Sequence, residues 1–166
     1  VRLVGSEMCI RDSTGTQDAP LLRVISPDGA VRTIEAGHYL VATGSAPYVP
    51  PVPGLAEAGY LTSTTAMELD EVPESMLILG GGYVALEMAQ LFSRLGSRVT
   101  MLVRSRLASQ EEPEASKALA GVFADEGIRV VRRAMADSVA SGPDGVSVTA
   151  NVAGGEEVFL SLIHIS

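Results

Sequence analysis

Gly80, Gly82 and Ala85 carry the clearest chemical signal in the 166-residue sequence, because they occupy the G-x-G-x-x-G/A spacing that binds a dinucleotide diphosphate. In such a turn the first glycine permits a tight bend and the second lets the backbone approach an anion. The small third residue allows a helix to pack closely on a strand. About 20 residues further on, where an NAD site usually carries an acid for the ribose 2′-hydroxyl, the chain reads Val103-Arg104-Ser105-Arg106. With two guanidiniums and no carboxylate, that position fits a 2′-phosphate, so NADPH is favoured over NADH.

The flanking elements place this turn. Met76-Leu77-Ile78-Leu79 reads as a buried strand, and Val84, Leu86, Met88, Leu91, Phe92 and Leu95 recur at helical spacing after Gly80-Gly81-Gly82. Gly96 stops that helix in the left-handed conformation, and residues 97–103 form a second strand. Strand, glycine turn, helix and strand make a βαβ unit, which predicts an α/β fold with a doubly wound parallel sheet. The free N–H groups at the helix start would face the anion.

Upstream, residues 21–26 and 30–35 alternate around Pro27-Asp28-Gly29, which predicts a hairpin in a small antiparallel sheet. Residues 38–42 read as a buried strand emptying into Thr43-Gly44-Ser45, with His38 as a hydrogen-bonded structural histidine. Residues 48–59, with Pro50, Pro51, Pro53 and Gly54, are too proline-rich for a helix or central strand and predict an interdomain connector. Ser63 opens a short helical turn. Glu111, Glu112 and Glu114 around Pro113 read as a solvated helix start rather than a metal site. Val130 and Val131 mark the end of a third strand, flanked by Arg129, Arg132 and Arg133, which are expected in water rather than near the cofactor, and residues 134–159 give a β-meander.

Composition narrows the function. The chain has 12 Lys and Arg against 20 Asp and Glu, a net charge of −8, and 46% hydrophobic residues. That balance predicts a globular protein with a core and argues against nucleic acid as a partner. Aromatics at 4% offer few stacking platforms, and no apolar run is long enough for a bilayer, which predicts a soluble, cytoplasmic protein.

The termini call for a separate reading. Residues 7–13 can be encoded by DNA whose reverse complement translates as Leu-Ser-Leu-Ile-His-Ile-Ser, the sequence of residues 160–166. Both ends therefore resemble one inverted sequencing-adapter repeat, and residues 1–13 and 160–166 are set aside as non-native. The sole cysteine, Cys9, goes with them, as does His164, so the remainder offers no thiol for a disulfide, a metal or a nucleophile. Residues 14–159 are expected to come from a longer gene.

Residues 42–47 (Ala-Thr-Gly-Ser-Ala-Pro), Pro51-Val52-Pro53-Gly54, residues 80–87 (Gly-Gly-Gly-Tyr-Val-Ala-Leu-Glu) and the run 99–114 together resemble the FAD-dependent pyridine nucleotide-disulfide oxidoreductases. Arg104-Ser105 with Glu111-Glu112-Pro113-Glu114 is most similar to the mercuric reductase branch. Dihydrolipoamide dehydrogenases typically carry an acid where Val103 stands, and glutathione reductases share the arginine at 104. The resemblance implies a Rossmann-like NAD(P)-binding domain at 61–159 and part of an FAD-binding segment with its connector at 14–60. It places Thr43, Gly44 and Ser45 on the FAD side, and Gly80, Gly81, Gly82, Tyr83, Val84, Ala85 and Glu87 on the nucleotide. It gives Arg104 and Arg106 the 2′-phosphate. Tyr83 would cover the nicotinamide or simply pack at the helix start. Glu87 would lie near the carboxamide or simply favour the helix dipole. It further implies hydride transfer from NADPH to FAD, then to an active-site disulfide and to mercuric ion, in a homodimeric parent. With redox cysteines and dimer domain outside residues 14–159, the chain alone is expected to be inactive. A non-redox NAD(P)-binding module is the alternative of a different class.

Overall fold

The computed structural model describes residues 9–16, 19–40, 42, 44, 46–143, 145–161 and 163–165. They fall into two compact units, Val1–Ser45 and Ala46–Ser166.

The first unit contains a three-stranded antiparallel sheet of β1 (Cys9–Thr16), β2 (Ala19–Ile25) and β3 (Val31–Ile34), in that order. The predicted hairpin joins β2 to β3, with Leu22 opposite Ile34 and Ile25 opposite Val31. Its turn closes as the sequence demands. Ser26 N–H donates to the Ala30 carbonyl at 2.9 Å, the Asp28 carboxylate accepts from Ala30 N–H at 3.0 Å, and Gly29 takes φ +83°. The strand expected at 38–42 does not form among the described residues. A buried strand needs a neighbouring ladder and a covering layer; this run has neither, and Leu40 is 93% exposed. His38 is likewise exposed, and its side chain makes no hydrogen bond to a described residue, contrary to the expected structural role.

The second unit is layered around a parallel sheet. Its elements begin with α1 (Leu55–Ala58) and α2 (Ser63–Ala66). There follow β4 (Ser75–Leu79), α3 (Tyr83–Arg94), β5 (Arg98–Val103), α4 (Pro113–Asp125) and β6 (Arg129–Arg132). The chain then runs into β7 (Ala134–Gly142), β8 (Gly145–Val152), β9 (Gly155–Ser161) and β10 (Ile163–Ile165). The parallel sheet has the order β10-β4-β5-β6. Counted in chain order from β4 and read from β6, that is 3-2-1-4, the doubly wound arrangement. Register is fixed by Met76 opposite Val99 and Leu102 opposite Val131.

Both faces of this sheet are buried, which accounts for the unbroken apolar run of β4. Met76 and Ile78 point to the helices with Val99, Met101 and Val103, against Leu86, Ala89 and Phe92 of α3 and Phe123 of α4. Leu77 and Leu102 point the other way, against Val139, Val148, Ala150 and Phe159 of the antiparallel β7-β8-β9 meander. The meander turns at Ala153-Gly154, with φ +52° and +95°, where the Asn151 side chain accepts from Gly154 N–H at 3.0 Å.

The proline-rich stretch departs from the expectation that it holds no helix. It carries the one-turn helix α1, Leu55 is fully buried against the meander, and Pro53 accepts from Val139 N–H at 2.8 Å. Gly54, at φ +79°, lies so close to the Val139 carbonyl that a Cβ would collide with it. The turn at residue 63 forms as expected, capped reciprocally by Thr62 and Thr65.

The segments set aside as adapter-like take up structure. Residues from Cys9 onward form β1, Leu160 and Ser161 end β9, and Ile163–Ile165 pairs in parallel with Met76, Leu77 and Ile78.

Candidate functional site: a glycine-walled cleft at the strand switch point

The parallel strands end on one side of the sheet, and the order reverses between β4 and β10, which is where doubly wound folds open a crevice. A cleft of about 550 Å³ lies there. Its floor is Leu79, Gly80, Gly81 and Gly82 with Leu102 and Val103. One wall is Arg104, Ser105, Arg106 and Ser109, and the other is Tyr48, Pro50, Pro51 and Val52 with Ala134, Met135 and Ala136. Two arginines line it, and no carboxylate does among the described residues. In a chain of net charge −8, that local sign is selective for an anion.

The three glycines have separate tasks. Gly80 holds φ +131° and donates its N–H to the Leu102 carbonyl at 3.0 Å, while a Cβ there would meet Ala85 at an ordinary 3.9 Å. Gly82 has φ −80° and ψ 176°, with open space where a Cβ would stand, so its freedom lies in the room it leaves. Gly81 is constrained by packing: a Cβ would lie 2.7 Å from Val103 Cγ1 and 3.4 Å from the Arg106 carbonyl. The sequence pattern treats this middle position as variable. Its closeness to Val103 is visible only once β5 is laid beside β4.

Gly82 is also the N-cap of α3, and no side chain caps that end. The first turn contains no acid, so the opening N–H groups and the positive end of the helix dipole meet no negative side chain of their own helix. This is the arrangement expected for binding a diphosphate.

The arginines are placed differently from one another. Arg104 is exposed at the cleft wall, with no hydrogen bond or ion pair to a described residue. Arg106 is half-buried and donates to the carbonyls of Ser109 at 3.0 Å and Glu111 at 2.6 Å, bracing its own loop. Ala108 N–H donates to the Gly81 carbonyl at 2.7 Å, which pins the same loop to the glycine turn.

Tyr83, Val84 and Glu87 occupy the exposed side of the first turns of α3, outside the cleft lining. The Tyr83 hydroxyl donates to the Glu111 carboxylate, and this negatively charged partner raises the phenol above its ordinary pKa of 10.0. Glu111, expected as a solvated acid, therefore has a partner, while the N-cap of α4 is Glu112 and Glu114 lies in its first turn. Arg129 stacks over the Phe159 ring at 5.3 Å, and Arg132 and Arg133 are exposed as expected.

Of the three residues expected on the flavin side only Gly44, at φ +72°, is described. Thr43 and Ser45 lie outside the described residues. Sequence reasoning missed the second wall of the cleft, formed by Tyr48, Pro50, Pro51 and Val52 and by the chain after β6. The available signal was topological: the segment that follows each parallel strand collects at the same sheet end. Among the described residues no group of three His, Cys, Asp or Glu side chains could hold a metal, and no helix is long and apolar enough to cross a membrane.

Residues 10–165 match the family described as pyridine nucleotide-disulphide oxidoreductase. A mercuric reductase of Streptomyces lividans is 57% identical over 132 residues, covering 80% of this chain and 28% of that protein. A mercuric reductase of Serratia marcescens is 43% identical over 119 residues, covering 72% and 26%. LpdA from Mycobacterium tuberculosis superposes with a TM-score of 0.73 at 26% identity, over 95% of this chain and 34% of that one. The flavoprotein disulfide reductase RclA from Escherichia coli gives 0.69 at 25% identity, over 86% and 32%. The chain thus spans about a quarter of the length of the curated relatives it matches. Together with the cleft geometry, this match means that the chain belongs to the pyridine nucleotide-disulphide oxidoreductase family, which works with a flavin and a pyridine nucleotide.

Proposed function

We propose that the cleft binds NADPH and that the chain is the nucleotide-holding part of a mercuric reductase. The observation that carries the cofactor reading is the wall of the cleft, where two arginines and no described carboxylate follow β5. The diphosphate would lie on the uncapped start of α3 beside Gly82, and the 2′-phosphate would meet Arg104, whose guanidinium is uncommitted. Arg106 contributes its remaining donors from a braced position. When bound, the nicotinamide supplies hydride for reduction of the flavin, and the residues of this chain hold and orient it.

The substrate reading is supported by the relatives at 57% and 43% identity, both mercuric reductases. In this reading FAD would approach through the Thr43-Gly44-Ser45 segment, and mercuric ion would be reduced by a homodimer. Two measurements test it. Titration of the chain with NADPH and NADH should give tighter binding of NADPH, and equal affinities would defeat the cofactor reading. The full-length coding sequence should yield a protein that consumes NADPH in the presence of Hg(II). Turnover of lipoamide or oxidised glutathione without Hg(II) turnover would reassign the substrate.

A further inference from the structure

We infer that Glu111 is a positioning residue for the nucleotide site: through Tyr83 it latches the arginine-bearing loop to the start of α3 and so keeps Arg106 facing the cleft. This rests on the NADPH reading above and adds to it a residue that touches neither phosphate.

The loop between β5 and α4 is held at two places. Its middle is fixed by Leu107, fully buried in the core, and by the Ala108 N–H bond to Gly81, at the cost of a left-handed φ of +45° at Ala108. Its far end is fixed by Glu111, on which three bonds converge. The carboxylate accepts from Tyr83, the main-chain N–H donates to the Ala108 carbonyl at 2.9 Å, and the main-chain carbonyl accepts from Arg106 at 2.6 Å. Both carbonyls that brace Arg106 belong to Ser109 and Glu111, in the segment that the Tyr83 bond ties down. Without that tie, the brace moves with its segment and Arg106 loses its fixed direction.

Helix capping does not account for Glu111. Glu112 and Glu114 already supply negative charge to the start of α4, and neither side chain is engaged with another described residue. The Glu111 carboxylate is instead drawn across the surface to a residue 28 positions earlier in the chain. That contact joins the helix start, which follows the glycines of the cleft floor, to the arginine loop that forms one wall.

The test uses the 166-residue chain with Glu111→Ala, Glu111→Gln, Tyr83→Phe and the double variant Tyr83→Phe/Glu111→Ala. The sequence has no tryptophan, so NADPH and NADH fluorescence report binding without protein background. Glu111→Ala should weaken NADPH roughly 3- to 10-fold, the scale of one hydrogen bond, with NADH changed less than about twofold. Glu111→Gln, which still offers Tyr83 an acceptor, should keep most of the affinity, and the double variant should bind no worse than Glu111→Ala. Alkaline absorbance titration, with Tyr83→Phe identifying the residue among the four tyrosines, should show Tyr83 ionising at lower pH once the carboxylate is gone. Equal losses for both nucleotides, unchanged NADPH binding in Glu111→Ala, or an unchanged Tyr83 titration would each overturn the inference. If the unaltered chain binds both nucleotides equally, the NADPH reading itself fails. If it discriminates and Glu111→Ala discriminates to the same degree, only the positioning role fails.

Discussion

Helices α3 and α4 leave the same sheet in the same direction, each from a parallel strand, yet their first turns are opposites. The start of α3 is Gly82 followed by no acid and no side-chain cap. The start of α4 is Glu112, Pro113 and Glu114, in which proline replaces an orphan N–H and the acids face the positive end of the dipole. Neither start has a side-chain cap, but one carries its own negative charge and the other is left open to an external anion. In the proposed reading, anion binding follows from what the first turn omits as much as from what it contains.

The most damaging way to erase this contrast is Gly82→Asp. Its backbone, at φ −80° and ψ 176°, suits any residue, and the space beside it is open. The new carboxylate should cap α3, leaving thermal stability equal or raised, while nucleotide affinity falls about 100-fold through repulsion of the diphosphate. Calorimetry and NADPH titration on one sample check both halves. Lost affinity together with lost stability would mean that the open end is structural.

Arg104→Glu should come next, lowering NADPH affinity roughly 10- to 30-fold by removing a charge-assisted contact, with NADH little affected. A comparable loss for NADH would show that Arg104 acts on the diphosphate instead. Gly81→Ala sharpens the comparison from beneath. The Cβ would press on Val103, destabilising the fold by about 1–3 kcal/mol in denaturant melts, and Val103→Ala in the same chain should recover part of it. On the satisfied helix, Glu114→Gln should cost only about 0.3–1 kcal/mol of stability and leave nucleotide binding unchanged.

The smallest effect belongs to the far ends of the two helices. Arg94 pairs with Glu126 at 2.6 Å and Gln90 donates to the same carboxylate at 3.0 Å; these bonds hold Glu126 below its ordinary pKa of 4.5. A carboxylate depressed in the folded state contributes stability above its unfolded pKa and loses it as pH falls through the folded one. Acid titration of the melting temperature should therefore show a shallow loss below about pH 4.5, absent in Glu126→Gln.

Much of this was readable from residue types. The βαβ unit from Ser75 to Val103 was legible because each signal agreed: an apolar run buried on both faces, a glycine turn, helical spacing and a glycine stop. Gly80, Gly82 and Arg104, singled out by the pattern, all line the cleft. Features set by distant partners were not legible. Gly81 is constrained by a valine on the next strand, Glu111 is bound by a tyrosine on α3, and Arg106 is tied to carbonyls of its own loop. The expected strand at 38–42 failed for a related reason, since apolar residues favour extended backbone but cannot supply a second strand to pair with. The helical turn inside the proline-rich stretch was not legible because composition reports stiffness, not the carbonyl of Val139 waiting beside Gly54.

The place of Ile163–Ile165 beside β4 has a broader consequence. Parallel pairing is made by main-chain amides and carbonyls, and extended β-branched residues of many orders satisfy it. An edge position of this kind is permissive: Ile-His-Ile, read as a translated adapter, meets the same requirement as any other short apolar triplet. The inner strands, enclosed on both sides, allow far less, so tolerance to sequence change should rise from the middle of the sheet toward its rim.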